Sequence, residues 1–229
     1  EQSIQKFINN VHIYNDSLSL YTDEAWDYRD KKEIHLKGNT LMISNGDSLS
    51  CDSMIYWIEK DSLLAIGNVF MKKNGVVINT KKITSWEEQG YRGFSFIAED
   101  SVRMLENEKQ LNAEIIHYND LTGKISLFNK TMIASKSQKI LSDSMLVFFT
   151  DSLLSSIEAI GNVHVYNNIS AKINKNEGYK KFVDEMISSY IDVKYDDGEI
   201  DSLYMYGMAS TYFHVVDDTL LMGVNDVSG

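Results

Sequence analysis

The chain has 229 residues, no proline, one cysteine and 13 glycines, and its 33 acidic against 22 basic side chains give a formal net charge of −11. The missing proline excludes a polyproline stalk, a collagen-like segment and a Pro-rich linker; the single Cys51 excludes an internal disulfide or a Cys-rich zinc site; the acid surplus excludes the basic footprint of a nucleic-acid binder. A hydrophobic fraction of 43% and a charged fraction of 24% suit a chain that builds a core, and no apolar run reaches the ~18 residues of a membrane-spanning helix.

In chain order, the first notable stretch is Ile8-Asn9-Asn10-Val11-His12-Ile13-Tyr14-Asn15. It returns as Ile160-Gly161-Asn162-Val163-His164-Val165-Tyr166-Asn167. Between them the marker asparagine falls at Asn39, Asn68 and Asn129, with Ser101 in the remaining place, so the steps from Asn10 to Asn162 are 29, 29, 33, 28 and 33 residues. Gly207-Met208-Ala209 reads as a degenerate last copy. Nine residues after Val11, Thr40, Val69 and Val102 stand Leu20, Leu49, Ile78 and Leu111, a second landmark in the same register. A period near 30 residues marks a repeat architecture in which each unit buries its apolar face only against its neighbours. Residues 1–229 therefore read as one repeat-built domain.

Within a copy, apolar residues recur at period 2, the signature of strands. Asn45-Gly46 and Asn74-Gly75 supply the positive φ of tight hairpin turns. One stretch, Phe182 to Tyr190, has a helical spacing through Phe182, Met186, Ile187 and Tyr190, and reads as a helix or as a loop leading into a strand at Ile191. Asp196-Asp197-Gly198-Glu199 and Asp217-Asp218 read as turns rather than calcium sites, because the EF-hand and β-roll spacings are absent.

Residues one and three after each marker share a face of their strand. They are Val11/Ile13, Thr40/Met42, Val69/Met71, Val102/Met104, Lys130/Met132 and Val163/Val165. Lys130 breaks this stripe, so either the register slips there or that rung is open to water. The apolar members Val11, Ile13, Met42, Val69, Met71, Val102, Met104, Met132, Val163 and Val165 are the candidate binding residues. Such a stripe suits a packed core, and it also suits a groove for flexible apolar ligands, since Met adapts its shape.

Asp-Ser before an apolar residue occurs at Asp16, Asp47, Asp52, Asp61, Asp100, Asp143, Asp151 and Asp201. Gly46-Asp47-Ser48-Leu49 spells the tetrapeptide of the GDSL hydrolases, with Ser48 as nucleophile. None of His12, His35, His117, His164 and His214 has the Asp three residues before it that this family's Asp-x-x-His unit requires. The recurrence is better explained by Asp and Ser initiating turns through their own backbone. No P-loop, nucleophile elbow or H-E-x-x-H is present. The expectation is a protein without catalytic residues, metal or cofactor.

The units Ile66-Gly67-Asn68-Val69, Ile160-Gly161-Asn162-Val163-His164-Val165 and Leu49-Ser50-Cys51-Asp52-Ser53-Met54-Ile55-Tyr56 resemble the repeats of the OstA/LptA-like proteins of periplasmic lipopolysaccharide transport, over about residues 8 to 215. The resemblance implies an all-β fold, an elongated antiparallel β-jellyroll of stacked ~30-residue hairpin repeats. It implies that the inward apolar face holds the acyl chains of lipopolysaccharide or another acyl lipid. It implies other transport-bridge proteins as partners, by edge-strand stacking, and a head-to-tail homo-oligomer. It implies a periplasmic location, with any signal or anchor lying outside the given chain, which opens at Glu1. A purely structural or adhesive β-repeat with a dry core is the alternative, and an enzyme on a β-solenoid a third.

Overall fold

The structure, a computed structural model, describes residues 3–73, 75–87, 94–106, 108–150, 153–196 and 199–229. Of the expected turn residues, Asn74, Asp151 and the Asp197-Gly198 pair lie outside them. The described residues form strands β1 (Ile4–Tyr14), β2 (Leu18–Tyr28), β3 (Glu33–Ser44), β4 (Asp47–Trp57), β5 (Ser62–Lys73), β6 (Val76–Glu87), β7 (Phe94–Glu106) and β8 (Lys109–Asn119). They continue with β9 (Lys124–Ala134), β10 (Gln138–Thr150), β11 (Leu153–Ala171), β12 (Lys180–Asp196), β13 (Glu199–Tyr206), β14 (Ser210–Asp217) and β15 (Leu220–Ser228). The only helical turns among them are the 3-10 segments Arg29–Lys31 and Ile58–Lys60.

Two compact units divide the chain: Glu1–Asn107 with Ala113–Ile125, and Glu108–Asn112 with Ser126–Gly229. In the first, β1 to β7 and the part of β8 from Ala113 follow one another as hydrogen-bonded neighbours in chain order. In the second the order is β9-β10-β11-β12-β14-β15, with β13 also on β12. The strand pairs among the described residues are antiparallel, as in β3–β4 and β11–β12, and an isolated parallel bridge joins Lys172 to Leu220. Each unit is all-β and antiparallel, built of the hairpins that the repeats imply and in line with the jellyroll that the resemblance implies.

Turns alternate between two kinds. Asn45 and Gly46 have φ of 50° and 88°, and Ser44 pairs with Asp47 around them, the two-residue turn that matches strand twist. The next connections are 3-10 turns that end on a left-handed residue, Lys32 (φ 54°) after Arg29–Lys31 and Asp61 (φ 41°) after Ile58–Lys60.

The marker pair is a bulge at mid-strand. Gly38-Asn39, Gly67-Asn68, Asp100-Ser101, Asn129-Lys130 and Gly161-Asn162 each supply two successive positive φ angles, in β3, β5, β7, β9 and β11. Asn9-Asn10 does the same in β1, and Gly207-Met208 between β13 and β14. On β3 the ladder runs through Lys37↔Ser53 and resumes at Thr40↔Cys51. Two residues therefore oppose one, Asp52, which bends the strand and increases its twist.

This geometry keeps one face buried on both sides of the bend. On the bulged strands the last and first buried residues are four apart: Leu36/Thr40, Ala65/Val69, Ala98/Val102, Leu127/Thr131 and Ala159/Val163. On the neighbouring strands they are three apart: Thr22/Ala25, Cys51/Met54, Thr80/Ile83, Ala113/Ile116, Ser142/Met145 and Ser188/Ile191. That three-residue step explains why Phe182 to Tyr190 mimics a helix. The segment is the middle of β12, with Met186 opposite Val165 and Tyr190 opposite Ile160, and its corner at Ser188-Ser189 interrupts the period of 2.

The single opposing residue fills the space above the glycine. A Cβ on Gly38, Gly67 or Gly161 would collide with the carboxylate of Asp23, Asp52 or Asp143. Each carboxylate also accepts a hydrogen bond from the bulge asparagine: Asn39 Nδ2 to Asp23 at 2.9 Å, Asn68 Nδ2 to Asp52 at 3.0 Å, Asn162 Nδ2 to Asp143 at 2.8 Å. Gly-Asn thus supplies the positive φ, the close approach and the amide donor together. The reading of Asp-Ser as a turn starter is corrected at Asp52 and Asp143, which are corner residues inside β4 and β10, and at Asp100, which is half of a bulge.

Bulging strands leave carbonyls without ladder partners, and buried orphans are costly. At four corners the residue before the corner carries a hydroxyl that donates to a nearby carbonyl. The Thr22 hydroxyl donates to the carbonyls of Lys37 and Gly38 at 3.0 and 3.1 Å, Ser142 to that of Ser144 at 2.7 Å and Ser188 to that of Tyr190 at 3.1 Å. Thr80 donates to the Glu99 carbonyl.

Gly67→Ala is expected to destabilise the protein by about 2 kcal/mol or more, through left-handed backbone and collision together. Adding Asp52→Ala removes the collision together with the Asn68 hydrogen bond to Asp52, and leaves the Gly67→Ala change with its backbone cost of about 1 kcal/mol. The two substitutions should therefore be strongly non-additive in urea melts; additive losses would show that the carboxylate does not hold the corner.

Candidate functional site

The inward face is where the candidate residues come together. In unit 1, Ile13 pairs with Leu20, Leu20 with Met42, Met42 with Leu49, Leu49 with Met71, Met71 with Ile78, and Ile78 with Met104. Four candidates, Ile13, Met42, Met71 and Met104, thus lie on one continuous cross-strand row. The positions between them are Leu20, Leu49 and Ile78, three of the residues nine places after the residue that follows the marker. That offset is the span from the +1 position of a bulged strand, through the turn, to the facing strand. The signal for these missed members was present in the sequence but read only as register.

Beside this row runs a second. Val11 pairs with Thr22, Thr40 with Cys51, and Val69 with Thr80, and the hydroxyls of Thr22 and Thr40 meet at 3.1 Å. This row is the hinge line of the sheet, so it mixes apolar candidates with hydroxyls that serve the bulges. Cys51 occupies a hydroxyl position. Burial pushes its thiol up to about 12, and backbone hydrogen bonds from Ile66 and Ser53 oppose that shift only in part.

The broken rung has a simple cause. Positive φ falls on Asn129 and Lys130, so Asn129 stands where other copies have Gly, and Lys130 where they have Asn. The register slips by one, and the inward positions are Thr131 and Ile133. Thr131 is buried, and its hydroxyl donates to the Ser142 carbonyl at 2.8 Å. Met132 is thereby moved off the inward register.

In unit 2, Ile140 pairs with Val165, Val165 with Met186, and Met186 with Thr211. Val163 faces Ser188. Further along β12, Asp184 accepts hydrogen bonds from the backbone N–H of His214 at 2.9 Å and lies 2.8 Å from its Nδ1. This buried pair ties β14 to β12, and paired burial is what makes a charge tolerable in such a place.

Burial grades the candidates. Val69, Val102, Val163 and Val165 are at most 2% exposed and Met71 and Met104 are at 5%, while Val11, Ile13 and Met42 near the β1 edge are half-buried. Side chains so covered do not line a water-sized hollow. The interior at these rungs is filled by the protein itself, and an apolar ligand reaches it only by displacing side chains. Ser48, the nucleophile of the hydrolase tetrapeptide, faces Ile43 and Lys72 in the ladder, neither of them a histidine or an acid.

The native Cys51 thiol should stay unreactive toward Ellman's reagent at pH 8, far below its raised pKa of about 12, and react fully on unfolding. Fast labelling of folded protein would contradict the burial described.

Comparison with known proteins follows this geometry. Residues 27–124 match the family model of the OstA-like proteins. No curated protein matches the chain significantly. Among solved structures that match, LptH of Pseudomonas aeruginosa, described as the LptA-homologous periplasmic component of the lipopolysaccharide transport device, is 8% identical, with 80% of this chain and 94% of that chain covered and a TM-score of 0.25.

Proposed function

With the OstA-like match over residues 27–124 as premise, we propose that this chain is a non-enzymatic periplasmic protein of lipopolysaccharide transport whose inward row receives acyl chains. The observation that carries this reading is the unbroken row from Ile13 to Met104, which places Met on β3, β5 and β7 and Leu or Ile on the strands between. Methionine has an unbranched, polarisable side chain that rearranges around irregular apolar guests. Each buried CH₂ of a guest contributes about 0.8 kcal/mol, so a few chain carbons offset the displacement of one Met. The half-buried end at Val11, Ile13 and Met42 is the place for a chain to begin.

Edge strands support bridge partners. Among the described residues β1 pairs only with β2, and it leaves Ile4, Phe7 and Ile8 exposed. In the second unit β15 pairs with β14, meets Lys172 through an isolated bridge at Leu220, and leaves Met222 and Val224 exposed further along. Unpaired strands of this kind accept a further strand by backbone hydrogen bonding. We propose that another subunit of a transport bridge, or a second copy of this chain, takes these edges.

A second reading has its own observation. The near-complete burial of Val69, Val102 and Val163 is that of a dry core, as in a purely structural repeat. Photo-methionine incorporation separates the two. Irradiation with lipopolysaccharide should yield lipid adducts at Met42, Met71 and Met104, and their absence at saturating lipid would favour the dry core. Charge substitution belongs at half-buried Met42, because a charge at Met71 or Val163 would be buried unpaired and threaten the fold. Met42→Glu is expected to cut lipid loading several-fold in native mass spectrometry with the circular dichroism unchanged.

A further inference from the structure

The outward face of unit 1 carries a feature the inward row does not explain. Trp26 pairs with His35, His35 with Ile55, and Ile55 with Leu64. This row is one residue off the buried row Ala25, Leu36, Met54 and Ala65, so by strand alternation it faces away from the core. Over it lies a shallow hollow of about 490 Å³, open to solvent, whose lining includes Trp26, Tyr28, His35, Lys37, Ser53 and Leu64. Small-molecule sites run from roughly 300 to 1,000 Å³ and combine apolar surface with a few placed polar groups.

The walls are ring surfaces held in place. The Tyr28 and His35 rings lie 4.5 Å apart, and Lys6 Nζ sits 5.0 Å from the Trp26 ring centroid. Behind them Glu33 Oε2 is 3.1 Å from His35 Nε2, while Glu33 Oε1 accepts from Trp57 Nε1 at 3.1 Å. The hydrogen bond with His35 is the main reason the Glu33 carboxyl titrates below its ordinary range. At the rim, Lys37 and Ser53 stand directly opposite each other in the ladder, and neither side chain has a partner among the described residues.

The charge pattern narrows the ligand. Lys37 and His35 are balanced by Asp52 in the wall and Glu33 behind it, and both acids are already hydrogen-bonded, Asp52 to Asn68 and Glu33 to Trp57. No single sign of charge dominates, so the hollow does not focus a field that selects an anion or a cation. It offers ring faces, an aliphatic floor and two unengaged polar groups. A pyranose ring has the matching surface: a C–H face for the aromatic rings and equatorial hydroxyls for Lys37 and Ser53.

We propose that this outward hollow binds neutral hexopyranosyl units of a glycan. The site stands on the opposite face from the acyl row and does not depend on it.

Saturation-transfer difference NMR on the delipidated full chain, with methyl hexopyranosides and N-acetylglucosamine as probes, tests this. At least one probe should show saturable transfer with an affinity near the millimolar range typical of single weak contacts. Lys37→Ala and Ser53→Ala, both at the rim, should weaken it several-fold, and Trp26→Phe should weaken it while keeping an aromatic in the sheet. Met42→Glu on the inward face should leave it unchanged, which keeps this result separate from the fate of the lipid reading. No transfer from any probe, transfer indifferent to Lys37→Ala and Ser53→Ala, or occupation by detergent alkyl chains in preference to sugars would each overturn the proposal.

Discussion

Everything in this protein turns on a two-against-one corner in which a carboxylate sits where a glycine side chain would be. A long strand with one apolar face has to keep that face turned inward through a bend, and a simple kink would flip the alternation and expose half of it. The bulged strand solves this with two left-handed residues and a four-residue step, and its neighbour solves it with one corner residue and a three-residue step. The two solutions must alternate along the sheet, because each bulge needs a single residue opposite it. That requirement sets the repeat at two strands.

The corner also accounts for part of the acidity. Asp23, Asp52 and Asp143 are engaged by asparagine amides, so they are structural charges rather than a repelling outer coat. Where the pattern departs, it departs in linked positions. Lys81 stands at the corner position of β6, and the following bulge is Asp100-Ser101 rather than Gly-Asn; Glu114 stands at the corner position of β8, and the following bulge is Asn129-Lys130. The sign of the charge moves, but a polar residue at the corner is kept.

Much of this was legible before any coordinates. The spacing of the marker carried the repeat, and period-2 alternation carried the strands. The inward stripe was readable because residues one and three after a bulge keep strand parity. Glycine in the marker already points to a bulge or a close backbone approach; what could not be read was that it falls at mid-strand rather than before a strand. Nothing in Gly-Asn separates a mid-strand left-handed pair from a strand start, so Asp-Ser looked like a turn and Lys130 looked like a gap. At β9 the asparagine takes the glycine's place, and only the backbone angles reveal that Lys130 is the second bulge residue. The helical look of Phe182 to Tyr190 has the same origin, a three-residue corner step laid over a strand. The outward row at Trp26, His35 and Leu64 was overlooked for a different reason: His35 and Leu64 both stand four places before a marker asparagine, but the residue type at that position changes from copy to copy.

The two faces of the sheet are therefore constrained to different degrees. Inward positions answer to the corner, to burial and to cross-strand neighbours at once, which leaves Val, Met, Leu, Ile, Ala and a hydroxyl or thiol as the workable residues. Methionine on the bulged strands is the one choice there that packing does not demand, since Val165 fills the corresponding place in β11. Outward positions answer only to sheet propensity and solubility. A tryptophan half-buried on that side, in a wall with two unengaged polar groups, meets no demand of the fold. Function is more readily sought in such surplus features than in residues the corner already explains, and by that measure both the methionines of β3, β5 and β7 and the hollow over Trp26 are what the corner leaves over.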